Sequence, residues 1–330
     1  MTVLPDEDAL ISQLFAPIAG AGSLGLRDDA ALLPAPAGSE LVLTVDVIVA
    51  DVHFFRDDPP GAVARKALRV NLSDLAAKGA EPLGFLLALS LRRDTSLAWL
   101  TAFSEGLGAD ARLYGCPLLG GDTVRTEGPL TVSITAIGRV PTGYMVRRTG
   151  ARPGDILAVT GTIGDSALGL RLRLDGQEAG WRDVLTPAEQ AHLARRYLLP
   201  EPRNALALAV REHASGAMDV SDGLVGDARK FLRASGVSGE LDLDCIPLSL
   251  AARAAITAAP DMLLAAATGG DDYEVLCAVA PEHLSGFQRQ CAGAKVPLTA
   301  IGRVTAGDAP LAVRLHGAEI AVMQGSFSHF

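Results

Sequence analysis

The sequence predicts an α/β or α+β protein of two domains, and three observations carry that expectation. Short aliphatic runs of strand length alternate with longer segments of helical period. Hydrophobic residues make up 49% of the chain and aromatics only 5%, which implies a large core built from aliphatic side chains. At 330 residues the chain exceeds the size at which one hydrophobic core usually stops growing.

Near the amino terminus Leu10, Ile11, Leu14 and Ile18 recur at helical spacing, and Asp6, Glu7 and Asp8 suit the positive end of such a helix. The run ELVLTVDVIV at 40–49 reads as a strand. A helix follows over 60–82, closed by Gly79 and Pro82, and LGFLLALSL at 83–91 is the next strand. A helix through 98–115 and two strands, PLLGG at 117–121 and LTVSITAIGRV at 130–140, complete the first part. Basic and turn residues then cluster in RRTGARPGD, 147–155, which places the boundary between a domain 1–148 and a domain 149–330.

The second domain opens with the strand DILAVTG and the glycine-rich turn TGTIGDS, which leads into a helix. A polar segment around 175–190, a helix at 203–213 and the DVSDGL element follow. Ser221 is placed to N-cap a helix through LVGDARKFLRASG, with Leu224, Ala228, Phe231 and Leu232 inward and Gly236 as its stop. Strands near 239–243, 274–279, 298–304 and 311–322 close the chain.

Composition excludes several partner classes. Lys and Arg number 29 against 38 Asp and Glu, a net charge of −9, and nucleic acid or an anionic membrane would need a basic footprint instead. The longest apolar stretches, such as FLLALSL at 85–91, fall far short of the ~20 residues that span a bilayer. The acidic amino terminus does not read as a signal peptide, and a cytoplasmic protein is expected. Cys116, Cys245, Cys277 and Cys291 lack CxxC or CxxH spacing, so they read as reduced, buried thiols rather than a zinc site.

Aspartates gather in tight turns beside apolar runs: RDDAALL at 27–33, VDVIVADVHF at 45–54, NLSDLAAKG at 71–79, LGGDTV at 119–124, GAMDVSDGLVGD at 216–227 and GGDDYE at 269–274. Two carboxylates ~4 Å apart repel by about 4 kcal/mol at an effective dielectric of about 20. A whole fold is stable by only ~5–15 kcal/mol. Either the aspartates are scattered or divalent cations neutralise them.

Each motif has an ordinary explanation by itself. Asp74 can pair with Lys78 at i,i+4, and aspartate beside glycine is common turn chemistry. Together they point elsewhere. Asn71, Asp74 and Lys78 share one helix face opposite Leu68, Leu72 and Leu75, which aims a polar stripe where a ligand could reach it. Asp46 interrupts a strand apolar on both sides, where a charge is costly unless paired or metal-bound, and Thr44 shares its strand face. Oxygen donors of this kind suit Mg²⁺, which shares its coordination with substrate phosphates. The chain lacks a GxxxxGK[ST] loop and a GxGxxG after a strand, while TGTIGDSALGL at 160–170 is a glycine-rich turn able to cradle an anion.

In order and approximate spacing, the motifs DDAALL, TVDVIVADVHF, KALRVNLSDLAAKGAEP, LLGGDT, RTGARPGD, DVSDGL, GGDDYE and the terminal HF span nearly the whole chain. Through them the sequence resembles the thiamine-monophosphate kinase family, within the superfamily that also holds aminoimidazole ribonucleotide synthetase and selenophosphate synthetase. The resemblance implies ATP-dependent phosphorylation of thiamine monophosphate to thiamine diphosphate by direct in-line transfer, with several Mg²⁺ ions and ATP as co-substrate. It implies a homodimer whose amino-terminal sheets pair into an eight-stranded barrel, and a carboxy-terminal mixed α/β sandwich that completes the active site. Metal ligands carried over residue by residue are Asp29, with Asp28 as a further or alternative ligand, Thr44, Asp46, Asp74, Asp122, Asp219 and Asp222. Gly121, Asp122, Arg148 and Ser221 would lie near ATP, and His53, Asp271 and Phe327 near thiamine monophosphate.

The chain departs from the family pattern at three places. Arg27 stands where glycine is common, Asp271 where glutamate is usual, and the tail GSFSHF is one residue longer. A selenophosphate synthetase would bring a reactive Cys near its amino terminus, and hydrogenase-maturation relatives end in Cys; this chain has neither. A non-catalytic nucleotide or metal sensor on the same fold is the rival from another class, and it would bind ATP without turnover.

Overall fold

Strand β1, Ser39–Val49, alternates strictly, and its two faces meet different surroundings. Val42, Thr44, Asp46 and Ile48 point one way; Leu41, Leu43, Val45 and Val47 point the other and are 40%, 63%, 59% and 45% exposed. The structure, a computed structural model, describes residues 6–28, 30–34, 37–174, 180–323 and 325–326. It divides into two compact units, Met1–Leu75 with Ala80–Tyr144, and Ala76–Gly79 with Met145–Phe330.

In the first unit the order is α1 (Glu7–Leu10), β1, α2 (Pro60–Ala77), β2 (Glu81–Arg92), α3 (Leu97–Leu113), β3 (Leu118–Thr126) and β4 (Thr131–Pro141). Among the described residues these strands form one sheet in the order β1-β4-β2-β3, antiparallel except for the β2–β3 pair. The amino-terminal helix is irregular: α1 widens over Ile11–Phe15 and tightens over Ala16–Ile18, where Pro17 offers no N–H to an α ladder. Helix α2 stops at Ala77 rather than continuing to 82, because Gly79 turns left-handed at φ 67° and Pro82 already belongs to β2. Strand β3 runs five residues past the expected end at 121, to Thr126, because its register with β2 continues to Arg92.

The second unit runs β5 (Ile156–Thr160), α4 (Asp165–Leu174), α5 (Pro187–Leu198), α6 (Ala207–His213), β6 (Ala214–Val220), α7 (Leu224–Ser235), β7 (Ser238–Asp242), α8 (Leu250–Ala258), α9 (Met262–Thr268), β8 (Glu274–Val279), α10 (Pro281–Gly293), β9 (Leu298–Thr305), β10 (Ala312–Leu315) and β11 (Ala318–Ile320). Its described strands form a mixed seven-stranded sheet, β11-β10-β7-β9-β5-β8-β6. Alternate residues of one strand feed two cores: Leu276 and Ala278 pack with α7 residues such as Phe231, whereas Val275, Cys277 and Val279 pack with Val210 and Phe287. With helices over both faces, β8 after Glu274 reads as an unbroken apolar run. The expected strand at 311–322 is a hairpin, since His316 and Gly317 both take positive φ and let β10 turn back into β11.

The four cysteines are free thiols. Cys116, Cys277 and Cys291 are buried as expected, and burial pushes the Cys116 thiol up to about 12. Cys245 is exposed. No described helix is long and apolar enough to cross a membrane.

One half-buried titratable group makes stability depend on pH. The His213 ring stacks on Phe287 with centroids 5.6 Å apart, and neither ring nitrogen has a hydrogen-bond partner. Burial holds its pKa below the ordinary imidazole value, so below pH ~6.5 the unfolded chain takes up a proton that the folded one resists. Stability from this group is complete at high pH and declines as pH falls through that range. His213→Phe is expected to flatten the fall in melting temperature between pH 7 and pH 5; an unchanged slope would show that other groups govern it.

Candidate functional site

Among the described residues, the predicted metal ligands of the first unit sit on β1, on α2 or around one cavity beside β3. Thr44 Oγ1 donates to Asp74 Oδ2, joining β1 to α2. One turn earlier on α2, Asn71 accepts the Asp46 backbone N–H at 3.1 Å with its side-chain oxygen and donates to the Ala67 carbonyl at 3.0 Å. Asn71 is fully buried, so the helix is apolar or satisfied on nearly every side and the expected exposed stripe narrows to Asp74. Asp74 takes its bond from Thr44, and the Lys78 ammonium donates to the Ala217 carbonyl at 2.7 Å.

His53 lies just after β1. Its Nδ1 accepts the Val49 N–H at 3.0 Å, so in the neutral ring the proton is on Nε2. The buried Lys66 ammonium donates to the His53 carbonyl at 3.0 Å and fixes that turn. Sequence reasoning passed over Lys66, which looks like an ordinary helix residue until its partner is known, and read Asn71 as part of an exposed polar stripe although it is buried against the β1 backbone.

Asp28, Gly121 and Asp122 line a cavity of about 820 Å³ with Leu86, Ala88 and Thr135. A side chain at Gly121 would put its Cβ 1.9 Å from the Leu87 carbonyl oxygen, so the glycine is needed for strand pairing whatever else it does. Asp122 pairs with Ala88, Ala88 with Ser133, and Ser133 with Val47. Paired residues share a sheet face, so Asp122 lies on the face of the exposed Val47, opposite Asp46. Asp29 and Phe327 lie outside the described residues.

In the second unit the site residues gather where β6 runs into α7. Asp219 is buried near the end of β6. Gly223, at φ 123° and packed against the Thr268 backbone, occupies the N-cap position of α7. Ser221 is therefore not the cap. Asp227, in the first helical turn, reaches back instead: its Oδ2 accepts the N–H of Ser221 at 3.0 Å and of Asp222 at 2.9 Å. The Lys230 ammonium joins the Asp222 carboxylate to Asp227 Oδ1, the latter at 2.9 Å. Burial raises the Asp227 carboxyl above its ordinary range against the pull of Lys230. Burial alone would lower the Lys230 ammonium, and its two carboxylate partners outweigh this and raise it.

Asp271 follows from an adjacent loop. Its N–H donates to the Ser221 carbonyl at 2.8 Å and its Oδ1 accepts the Tyr273 hydroxyl at 3.1 Å. Asp271 and Tyr273 both hold left-handed backbone, at φ 70° and 53°, a conformation unfavourable for side-chain-bearing residues that recurs at functional loops. Arg148 lies in a turn with an exposed side chain, and its carbonyl accepts the Ser235 hydroxyl at 2.9 Å.

The turn at 160–166 does cradle an anion, and the anion belongs to the chain. Gly164 N–H donates to both oxygens of the buried Asp272 at 2.9 and 3.0 Å, while Gly161 and Ile163 donate to backbone carbonyls. Burial pushes the Asp272 carboxyl well above the ordinary range; the nearby Asp165 and Glu274 add to the rise and Gly164 and Arg196 oppose it. Those N–H groups are engaged within the protein.

Among the described residues no three His, Cys, Asp or Glu side chains form a cluster able to hold a metal by themselves. The donors in place are hydroxyl and carboxylate oxygens. Such a set fits Mg²⁺, which takes one or two protein carboxylates and completes its shell with water and phosphate.

Residues 27–140 match the family described as AIR synthase related protein, N-terminal domain, and 152–312 its C-terminal domain. The thiamine-monophosphate kinase of Caulobacter vibrioides is 44% identical over 309 residues, covering 92% of this chain and 85% of that protein. A crystal structure of thiamine-monophosphate kinase from Stenotrophomonas maltophilia superposes with a TM-score of 0.79 at 39% identity, covering 88% of this chain and 90% of that one. AaThiL complexed with AMPPCP and TMP superposes with a TM-score of 0.77 at 30% identity, covering 98% and 94%.

Replacing Asp227 by Ala leaves two backbone N–H groups without their acceptor and takes from the Lys230 ammonium one of its two carboxylates. Because Lys230 is a third exposed, the expected loss is about 2 kcal/mol rather than the larger cost of a fully buried pair. Urea denaturation of Asp227→Ala measures it, and a midpoint equal to that of the parent protein would contradict this role.

Proposed function

The chain belongs to the AIR synthase related family and, within it, to the thiamine-monophosphate kinases, and from that membership we propose how its residues phosphorylate thiamine monophosphate to thiamine diphosphate at the expense of ATP. The observation that carries the reading is the oxygen donor set Thr44, Asp46 and Asp74, held in place by hydrogen bonds between β1 and α2.

The nucleophile is a phosphate oxygen. A phosphate monoester has its second pKa near ~6, so at neutral pH it is already largely an oxyanion and no protein base has to remove a proton. What the protein must supply is alignment and relief of charge repulsion between two phosphate-bearing substrates. Asp28, Asp29, Thr44, Asp46, Asp74, Asp122, Asp219 and Asp222 are the proposed holders of Mg²⁺. Bound there, Mg²⁺ neutralises phosphate charge that these carboxylates by themselves would repel.

Gly121, Asp122, Arg148 and Ser221 are assigned to ATP. His53, whose Nδ1 accepts the Val49 N–H, is assigned to thiamine monophosphate, and Lys66 donates to its carbonyl and holds that turn. Asp271 is assigned to thiamine monophosphate. One methylene shorter than the family's usual glutamate, it is held by the Tyr273 hydroxyl. Phe327 is assigned as an aromatic contact to thiamine. In this division the domain 1–148 carries ATP, metal and subunit pairing, and 149–330 completes the active site.

The exposed row Leu41, Leu43, Val45 and Val47 is an apolar face that water does not favour, on a strand at the sheet edge. A homodimer that joins two such sheets into a barrel covers it, and Asp122 on that same face would lie within the dimer. The proposed location is the cytoplasm.

Purified protein with Mg²⁺, ATP and thiamine monophosphate is expected to release thiamine diphosphate, and Asp46→Asn or Asp222→Asn to lower the rate by orders of magnitude with the fold intact. ATP binding without product would favour the sensor reading. Leu43→Glu is expected to shift the protein from dimer to monomer in sedimentation; a dimer that persists would place the interface elsewhere.

A further inference from the structure

Asp222 already has a cation. The Lys230 ammonium bonds the Asp222 carboxylate on one side and Asp227 on the other, and Asp227 in turn accepts the Asp222 backbone N–H, so the three residues close a ring. Asp227 is buried, whereas Asp222 and Lys230 are 39% and 33% exposed, which leaves the Asp222 end of the ring open to solvent. In the first unit the partners identified for Asp74 and for the Asp46 backbone are a hydroxyl and a carboxamide, which aim a group without cancelling charge. At Asp222 the donor is a full positive charge.

Resting on the assignment of Asp222 as a metal ligand, we propose that Lys230 is a resident cation that competes with the divalent ion for the Asp222 carboxylate. When no divalent ion is bound, Lys230 holds Asp222 beside Asp227 and cancels the repulsion between them. A divalent ion arriving at Asp222 draws that carboxylate away, and Lys230 keeps its second partner, Asp227. The exchange moves no proton, since the ammonium remains charged in both states. Its consequence is a weakened metal site at Asp222, one that fills with nucleotide and empties when product leaves. The methylene stem of Lys230 leaves α7 on the same face as Asp227, one turn away, so the ammonium can release Asp222 without breaking the helix.

Binding of Mn²⁺, followed by electron paramagnetic resonance without nucleotide, tests the proposal on the full-length protein. Lys230→Met keeps the stem and removes the charge, and is expected to bind Mn²⁺ roughly two- to fivefold more tightly at one site, the range that a half-exposed ion pair provides. Lys230→Arg, which keeps a cation, is expected to stay close to the parent protein. An unchanged or weaker affinity in Lys230→Met overturns the competition. Should that variant fold poorly, acetylation of lysines in the parent protein, read by mass spectrometry, gives the answer: Lys230 is expected to react faster when Mn²⁺ is present, and equal or slower reaction overturns the proposal. Asp222→Asn separates the two layers of inference. If it loses one Mn²⁺ site while Lys230→Met binds as the parent does, the ligand assignment stands and the competition fails; if Asp222→Asn binds Mn²⁺ as the parent does, both fail.

Discussion

On the proposed reading a carboxylate that is to receive a cation is best aimed without being neutralised, and the Thr44–Asp74 bond between β1 and α2 meets that constraint. On β1 and α2 the partners identified are neutral: a hydroxyl that donates to Asp74 and a buried carboxamide oxygen that accepts the Asp46 backbone N–H. Thr44 on β1 bonds Asp74 on α2, and Asn71 on α2 bonds the Asp46 backbone on β1, so the pairing of this strand with this helix sets where both aspartates lie. The buried side chains Leu68, Leu72 and Leu75 in turn fix the helix. Packing in the core thus controls the placement of charge at the site.

The second unit departs from that arrangement. There Asp227 organises the loop between β6 and α7, and an ammonium shares the charge. The loop carrying Asp271 is tied to Ser221 by a backbone hydrogen bond and takes unfavourable backbone angles at two residues. Such conformations persist where surrounding contacts impose them, and here Asp272 and Glu274, buried on either side of Tyr273, anchor the loop to Gly164, Thr160, Arg196 and Arg203. A phosphate nucleophile asks for no base, so placement, the contribution that phosphoryl transfer needs most, is the role proposed for these residues.

Elements with a clear period were legible in the sequence. Strand β1, helix α3 and the Gly236 stop of α7 each follow from local pattern. The alanine-rich helices α8 and α9 were not, because alanine gives almost no contrast between faces, and β6 was obscured by the small residues of ASGAMDV. Ser221 looked like an N-cap because its side chain suits the role, but the left-handed Gly223 moved the helix start and gave the capping function to Asp227. The glycine-rich turn at 160–166 looked like a ligand cradle because sequence cannot reveal that Asp272, more than a hundred residues away, fills it. The aspartates themselves stood out, since charge within apolar runs is legible; Lys66 and Lys230 did not, since each becomes informative only when the fold brings it to the His53 carbonyl or to the Asp222 and Asp227 carboxylates.

The central claim is that aspartates aimed by their neighbours hold divalent ions against the phosphates of the two substrates. Anomalous diffraction from crystals grown with Mn²⁺, a non-hydrolysable ATP analogue and thiamine monophosphate locates such ions directly. The account predicts manganese peaks within coordination distance of Asp46 or Asp74 and of Asp222, each also touching a phosphate oxygen. Phosphates bound there with no manganese beside these aspartates, or manganese only at other side chains, would contradict it.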